Sequence, residues 1–192
     1  MQASYETKGG AFGHISRRFI HVAIIFIPLI YYHWFLKITS SVAFAHHIII
    51  LAMLAVVIAE LLRLKFQLVL FAQRSHEQSH VSSFAWTMIS VGFVLLLAPK
   101  ASYAVAIVAC CAIVDPLMGE LKIKIGKSVG LFLIGLLAAL LIWIFCMAHY
   151  HESIWIAFLI APITIACEWP VLKWIDDNAL MMLVPLIMVL AL

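Results

Sequence analysis

Seven apolar runs joined by short connections constrain this chain more than any other feature. They cover about residues 19–37, 42–62, 82–98, 101–121, 128–149, 153–173 and 178–192. Each is close to the ~20 apolar residues that a spanning helix needs. Only the stretch from Arg63 to Val81 is longer than a tight connection, which leaves no room for a separate soluble domain. Of the 192 residues 66% are hydrophobic and 11% charged, where soluble domains carry roughly a quarter charged. The expected fold is an all-α, polytopic membrane helix bundle of about seven transmembrane helices, one domain over 1–192. No cleaved leader is expected, because the first nineteen residues are polar or mixed. Cys110, Cys111, Cys146 and Cys167 lie inside apolar runs without CxxC spacing and read as small buried side chains.

Lysine and arginine collect on the cytoplasmic side of membrane proteins. With the N-terminus inside, that side holds Lys8, Arg17, Arg18, Arg63, Lys65, Arg74, Lys122, Lys124, Lys127 and Lys173, and the outer side only Lys37 and Lys100. Ten against two sets the orientation and supports an odd number of helices. The same map puts Glu60, Asp115, Glu120, Glu168, Asp176 and Asp177 at or near inner helix ends, Glu77 in the long inner loop and Glu6 in the N-terminal tail. Only Glu152 is outside. Asp115 sits roughly 9 Å from the end of its helix. A transporter needs charge or broken helices near the midplane. Carboxylates gathered at one face fit an interfacial enzyme better.

Those carboxylates come with basic and hydroxyl groups. Arg17 and Arg18 open the first run, where they can hold a phosphate or anchor orientation, with His21 one turn on. Glu60 and Arg63 stand three apart, as an ion pair would. Arg74 and Glu77 repeat that spacing in the loop, and Thr87 follows early in the next helix. His76 and His80 stand four residues apart, a spacing that could in principle bind a metal. Asp115 precedes Pro116, which cannot donate a backbone hydrogen bond and is expected to loosen the helix. Only an irregular helix end would aim both Asp115 and Glu120 at one ion. Lys122, Lys124, Lys127 and Ser128 follow. Gly126-Lys127-Ser128 is no P-loop, since Leu121 stands where its first glycine belongs. The turn can still offer backbone N–H groups to a phosphate. Glu168, Asp176, Asp177 and Asn178, with Asp115, make an oxygen-rich set suited to Mg²⁺, while Asp-Asp-Asn also reads as a helix cap.

In order, these pieces resemble the dolichol kinase and phytol kinase family of CTP-dependent lipid-alcohol kinases. RRFIHVAIIFIP is similar to its Arg-Lys-x-x-His opening, AELLRLKF to its Glu-x-x-Arg helix end, and RSHEQSHVSSFAWT to its Arg-x-x-Glu loop. DPLMGELKIKIGKSVG resembles its Asp-x-x-x-x-x-x-Gly segment, and CEWPVLKWIDDNALMMLVP its Glu…Asp-Asp-Asn…Pro ending. The chain departs from the family where Val129-Gly130 replace Glu-Gly after Lys-Ser, where GELKIKIG replaces a glycine-rich segment, and where Ala85 and Trp86 precede Thr87. The resemblance implies transfer of the γ-phosphoryl group of CTP, or another nucleoside triphosphate, to an isoprenoid or other long-chain alcohol. It implies Asp115, Lys127 and Asp177 as catalytic residues, and Mg²⁺ on Asp115, Glu168, Asp176, Asp177 and Asn178. Nucleotide contacts would come from Lys127, Ser128, Arg17, Arg18, Arg63, Arg74, Glu60 and Glu77. Partners are then the triphosphate, the alcohol and membrane lipids, with no nucleic acid, in a bacterial inner membrane or the endoplasmic reticulum. The alternatives are a CDP-lipid-forming cytidylyltransferase, whose His-Gly-Gly-x-x-Asp signature is missing, and a small cation-coupled transporter with a polar path to the outer face.

Overall fold

The computed structural model describes residues 7–39, 41–170, 172 and 174–192, with only the backbone of His76; Glu6 and Lys173 fall outside. Seven helical rods account for the described apolar runs: α1 (Gly10–Thr39), α2 (Val42–Lys65), α3 (Ser83–Leu97), α4 (Ala101–Ile125), α5 (Val129–His149), α6 (Trp155–Cys167) and α7 (Asp177–Ala191). Among the described residues there is no strand, only an isolated bridge between Thr7 and Arg74. α1, α2, α4 and α5 are long and apolar enough to cross a membrane by length and composition; α3, α6 and α7 are shorter.

Local chemistry sets the helix ends. Ser41, Ser82 and Ser128 each cap a helix, accepting from the backbone N–H groups of Phe44, Ala85 and Leu131. Asp176 caps α7 through Asn178 N. Gly126, at φ 68°, lets the chain leave α4 in a conformation that side chains disfavour. α6 stops at Cys167 rather than near residue 173 because Pro170 disfavours helix in the residue before it. α1 begins at Gly10, so Arg17 and Arg18 ride on a formed helix instead of marking its start.

Prolines act differently in α1 and α4. Pro28 cannot donate to Ile24 O, and that carbonyl is taken by Ile27 N at 3.0 Å in a tightened turn. One turn later Tyr31–Phe35 widens into a π-helical turn. α4, by contrast, continues through Pro116 to Ile125, where the sequence suggested loosening.

α4 is the axis of the bundle. Every residue from Ser102 to Ala112 is buried, most of them small. α5, α7, α1 and α3 pack around it, and α6 closes the ring between α5 and α7. α2 lies outside, against α3 and the last turn of α1, with most of its surface exposed. The basic residues meet at the end where α1 begins and α2 and α4 stop. At the other end Lys100 Nζ pairs with Glu152 Oε2 at 2.7 Å.

Candidate functional site

Three carboxylates from three elements converge at the basic end. Asp115 comes from α4, Glu168 follows the last residue of α6, and Asp177 begins α7. One oxygen of each lies within 4.8 Å of the others. Charges of like sign at this spacing oppose one another's ionisation unless a cation or proton joins them. Glu168 is 6% exposed, and its Oε2 has no hydrogen-bond partner among the described residues. Asp176 and Asn178 order the corner. Asn178 N donates to Asp176 Oδ1 at 3.1 Å and to Asp177 Oδ1 at 3.0 Å, and its Nδ2 donates to Ser83 Oγ at 2.9 Å. Ser83 Oγ donates in turn to Asp176 Oδ1 at 3.1 Å. Burial, and then the Asp177 charge, raise the Asp176 pKa to about 7.

α1 supplies the cations. Arg18 bridges two acids of α4, with Nη1 at 3.5 Å from Asp115 Oδ2 and Nε at 3.2 Å from Glu120 Oε1. Gly119 leaves space for this, since a Cβ there would overlap the guanidinium. Glu120 also meets His14 Nε2 at 2.9 Å, so it belongs to the α1 contact rather than sharing an ion with Asp115. With α4 regular through Pro116, the two side chains, five residues apart, point about 140° from each other. His21 Nε2 lies 3.5 Å from Asp115 Oδ2 and 3.3 Å from Cys111 O. Arg17 Nη1 donates to Glu77 Oε1 at 2.8 Å, and Arg74 feels the charges of Arg17, Glu77, Asp177 and Asp176. Lys127 Nζ donates to Trp169 O at 3.3 Å and, with Lys122, lines a narrow gap beside Glu168. Ser128 Oγ is used as the α5 cap.

Glu60 and Arg63 form the expected pair, but their work is different. All five N–H donors of Arg63 are used. Nε and Nη2 reach Glu60 at 3.0 and 2.8 Å, Nη1 reaches Leu68 O and Glu77 O at 2.9 and 2.7 Å, and Nη2 reaches His80 O at 2.6 Å. Glu60 also accepts from Ser82 N at 2.5 Å and Ser82 Oγ at 3.0 Å. The pair clasps the loop between α2 and α3. Arg63 is 3% exposed with no N–H left for a phosphate. Its placement among nucleotide contacts is therefore corrected to a structural clasp.

Two cavities flank this loop and share Glu77 and Ser83. One, of about 380 Å³, is lined by Arg74, Asp176, Trp86 and Trp174 among others. The other, of about 240 Å³, lies between α1 and α3, with Arg17, His21, Phe84 and Thr87 in its wall. His21 links the second to Asp115 and Asp176 links the first to Asp177, so the acidic trio stands behind both. Sequence reasoning missed Ser83, His14 and Cys111, whose Sγ lies 3.8 Å from Asn178 O. Paired serines before an apolar run announce a cap at Ser82, but nothing local marks Ser83 as the one facing the acids. Comparison with protein-family models, curated proteins and solved structures finds no match.

Proposed function

We propose that this protein is a multi-pass membrane phosphotransferase, N-terminus in the cytoplasm. It would move the γ-phosphoryl group of a nucleoside triphosphate, CTP by the resemblance, to the hydroxyl of a long-chain lipid alcohol. The supporting observation is the convergence of Asp115, Glu168 and Asp177 beside Arg18, at one end of an otherwise apolar bundle. The donor set fits Mg²⁺. It offers hard carboxylate oxygens, and the buried, unpartnered Glu168 Oε2 is an acceptor waiting for a cation or proton. Asp115, Glu168 and Asp177 would hold the ion, which when bound neutralises phosphate charge. Asp176 and Asn178, engaged with each other and with Ser83, would hold that corner in place.

Phosphoryl transfer needs mostly positioning and charge compensation. Arg17, Arg18, Arg74 and Lys127 surround the trio from α1, the loop and the turn before α5, as counter-charges for a triphosphate. The alcohol oxygen would attack the γ-phosphorus as the bond to the β-phosphate oxygen breaks. The nucleoside diphosphate would leave, and Asp115, beside His21, would take the hydroxyl proton. From Ala104 to Ala109, in its outer half, the central helix is buried and carries no ionisable side chain, which favours chemistry on the inner side over a path across.

Purified protein in detergent with Mg²⁺, γ-labelled CTP or ATP and a panel of lipid alcohols tests this. Label should enter the lipid with wild type and not with Asp115→Asn. Label retained in pyrophosphate while the nucleotide joins the lipid would replace the kinase with a cytidylyltransferase, and no transfer under any pairing would remove the proposal.

A further inference from the structure

The 240 Å³ cavity at the basic end is walled by Ile20, His21 and Ile24 of α1 and Phe84 and Thr87 of α3. A second, almost wholly apolar groove of about 320 Å³ is walled by the next turns of the same two helices. Its lining includes Ile27, Tyr31 and Phe35 of α1, Val91 and Leu95 of α3, and Met53 of α2. The two spaces follow one another in register along a single seam, with Ile24 giving way to Ile27 and Thr87 to Met88. The distortions of α1 fall on this seam. The tightened turn at Ile24–Ile27 stands where the polar cavity ends, and the π turn Tyr31–Phe35 puts its first and last residues in the groove. π turns of this kind occur often at functional sites. At the rim Ile30 and Ile48 are 49% and 40% exposed, so the groove is open sideways to whatever surrounds the bundle.

We infer that the α1–α3 groove holds the first part of the substrate's hydrocarbon chain, its hydroxyl end lying in the polar cavity beside His21 and Asp115. This rests on the lipid-alcohol reading above and names what that site measures. From Thr87 to Leu95 the groove runs about 12 Å at 1.5 Å per residue. A zigzag hydrocarbon advances about 1.3 Å for each carbon–carbon bond of about 1.5 Å, so an extended chain fills it with roughly nine carbons. Lipid is as apolar as the groove, so the chain gains no hydrophobic energy by entering. Selection acts through shape. Carbons nearest the hydroxyl are read, and those beyond Leu95 lie in the bilayer unread. A comparable groove on the other side of α1, lined by Leu29, Leu141, Phe145 and Tyr150, shares no wall with the polar cavity except α1 itself and serves as the control.

The test uses the full chain in phosphatidylcholine nanodiscs with a long-chain primary alcohol carrying a photoreactive diazirine near its eighth carbon. Cross-links mapped by mass spectrometry are expected on peptides holding Tyr31, Met53 or Val91. A second arm measures phosphorylation of alcohols of graded length. Ala52→Phe, which fills the groove, should shift preference toward short or strongly tapered chains by about tenfold or more, and Leu141→Trp in the other groove should not. Cross-links confined to Leu141 and Phe145, or none, overturn the groove assignment even if transfer occurs. Cross-links in the groove without transfer to any alcohol keep the groove and remove the kinase reading.

Discussion

Removing the Arg63 guanidinium should release the loop between α2 and α3 without removing any side chain of the proposed triphosphate site. Arg63→Ala deletes five hydrogen bonds, two of them to the Glu60 carboxylate and three to the carbonyls of Leu68, Glu77 and His80. Breaking a buried pair by removing one partner costs about 3–5 kcal/mol. Glu60 keeps both Ser82 donors and its side chain is 12% exposed, which places the loss near the lower end, about 3 kcal/mol. At 1.4 kcal/mol per decade this is roughly a hundredfold faster amide exchange. It should be confined to residues 66–82 and the N-terminal residues that pair with them through Lys8, Ala72 and Gln73. Hydrogen-exchange mass spectrometry on the purified protein reads it directly. Arg63→Lys, with three donors in place of a planar fork, should fall between the two. Unchanged exchange across the loop, together with a loss of nucleotide affinity, would refute the reasoning and return Arg63 to the binding residues.

Other outcomes follow from the same geometry. Gly119→Ala gains about 1 kcal/mol of helix propensity but its Cβ displaces the Arg18 guanidinium. Triphosphate affinity, read with a fluorescent nucleotide, should then drop tenfold to a hundredfold, about the worth of one charge-assisted contact, with no loss of thermal stability. Saturating Mg²⁺ at about 100 times its Kd should stabilise wild type by about 2.7 kcal/mol. Asp177→Asn should abolish that gain yet melt higher than wild type without metal, because two clustered carboxylates repel less than three. Asp176, raised from 3.8 to about 7, holds its proton more tightly folded than unfolded. Its contribution is therefore full below the unfolded value and is lost as pH rises through about 7. In EDTA, corrected exchange of the Asn178 and Ala179 amides should quicken between about pH 4 and 7, and Asp176→Asn should flatten the trend.

The apolar runs were legible because twenty consecutive nonpolar residues admit few other structures, and the helices were found in the expected order. Their ends were less so. Residue 173 looked like a helix end until Pro170 acted, and Pro116 looked disruptive although α4 carries it without a break. The acidic set was readable in part. The expense of a carboxylate near hydrocarbon picked out Asp115, and with Glu168, Asp176, Asp177 and Asn178 it was expected to form one oxygen-rich set, of which Asp115, Glu168 and Asp177 meet. Glu120 was ambiguous because its direction depends on whether the helix stays regular past Pro116. The partner of Arg63 could be named from a three-residue spacing. Its carbonyl acceptors could not, since they belong to a loop whose path no spacing encodes.

Confinement of small residues to the axis distributes constraint unevenly along the chain. From Ser102 to Ala112 every side chain is buried between neighbouring rods, so an added methylene must push a helix aside except at Val105 and Ala109, which border a groove. Most side chains of α2 are exposed, and exchange among Leu, Ile and Val at those positions should pass almost unnoticed. Random mutagenesis would thus find α4 close to frozen and the exposed face of α2 free to drift, away from Glu60, Arg63, the buried Ala45 and Ile49, and the groove positions Ala52, Met53 and Val56.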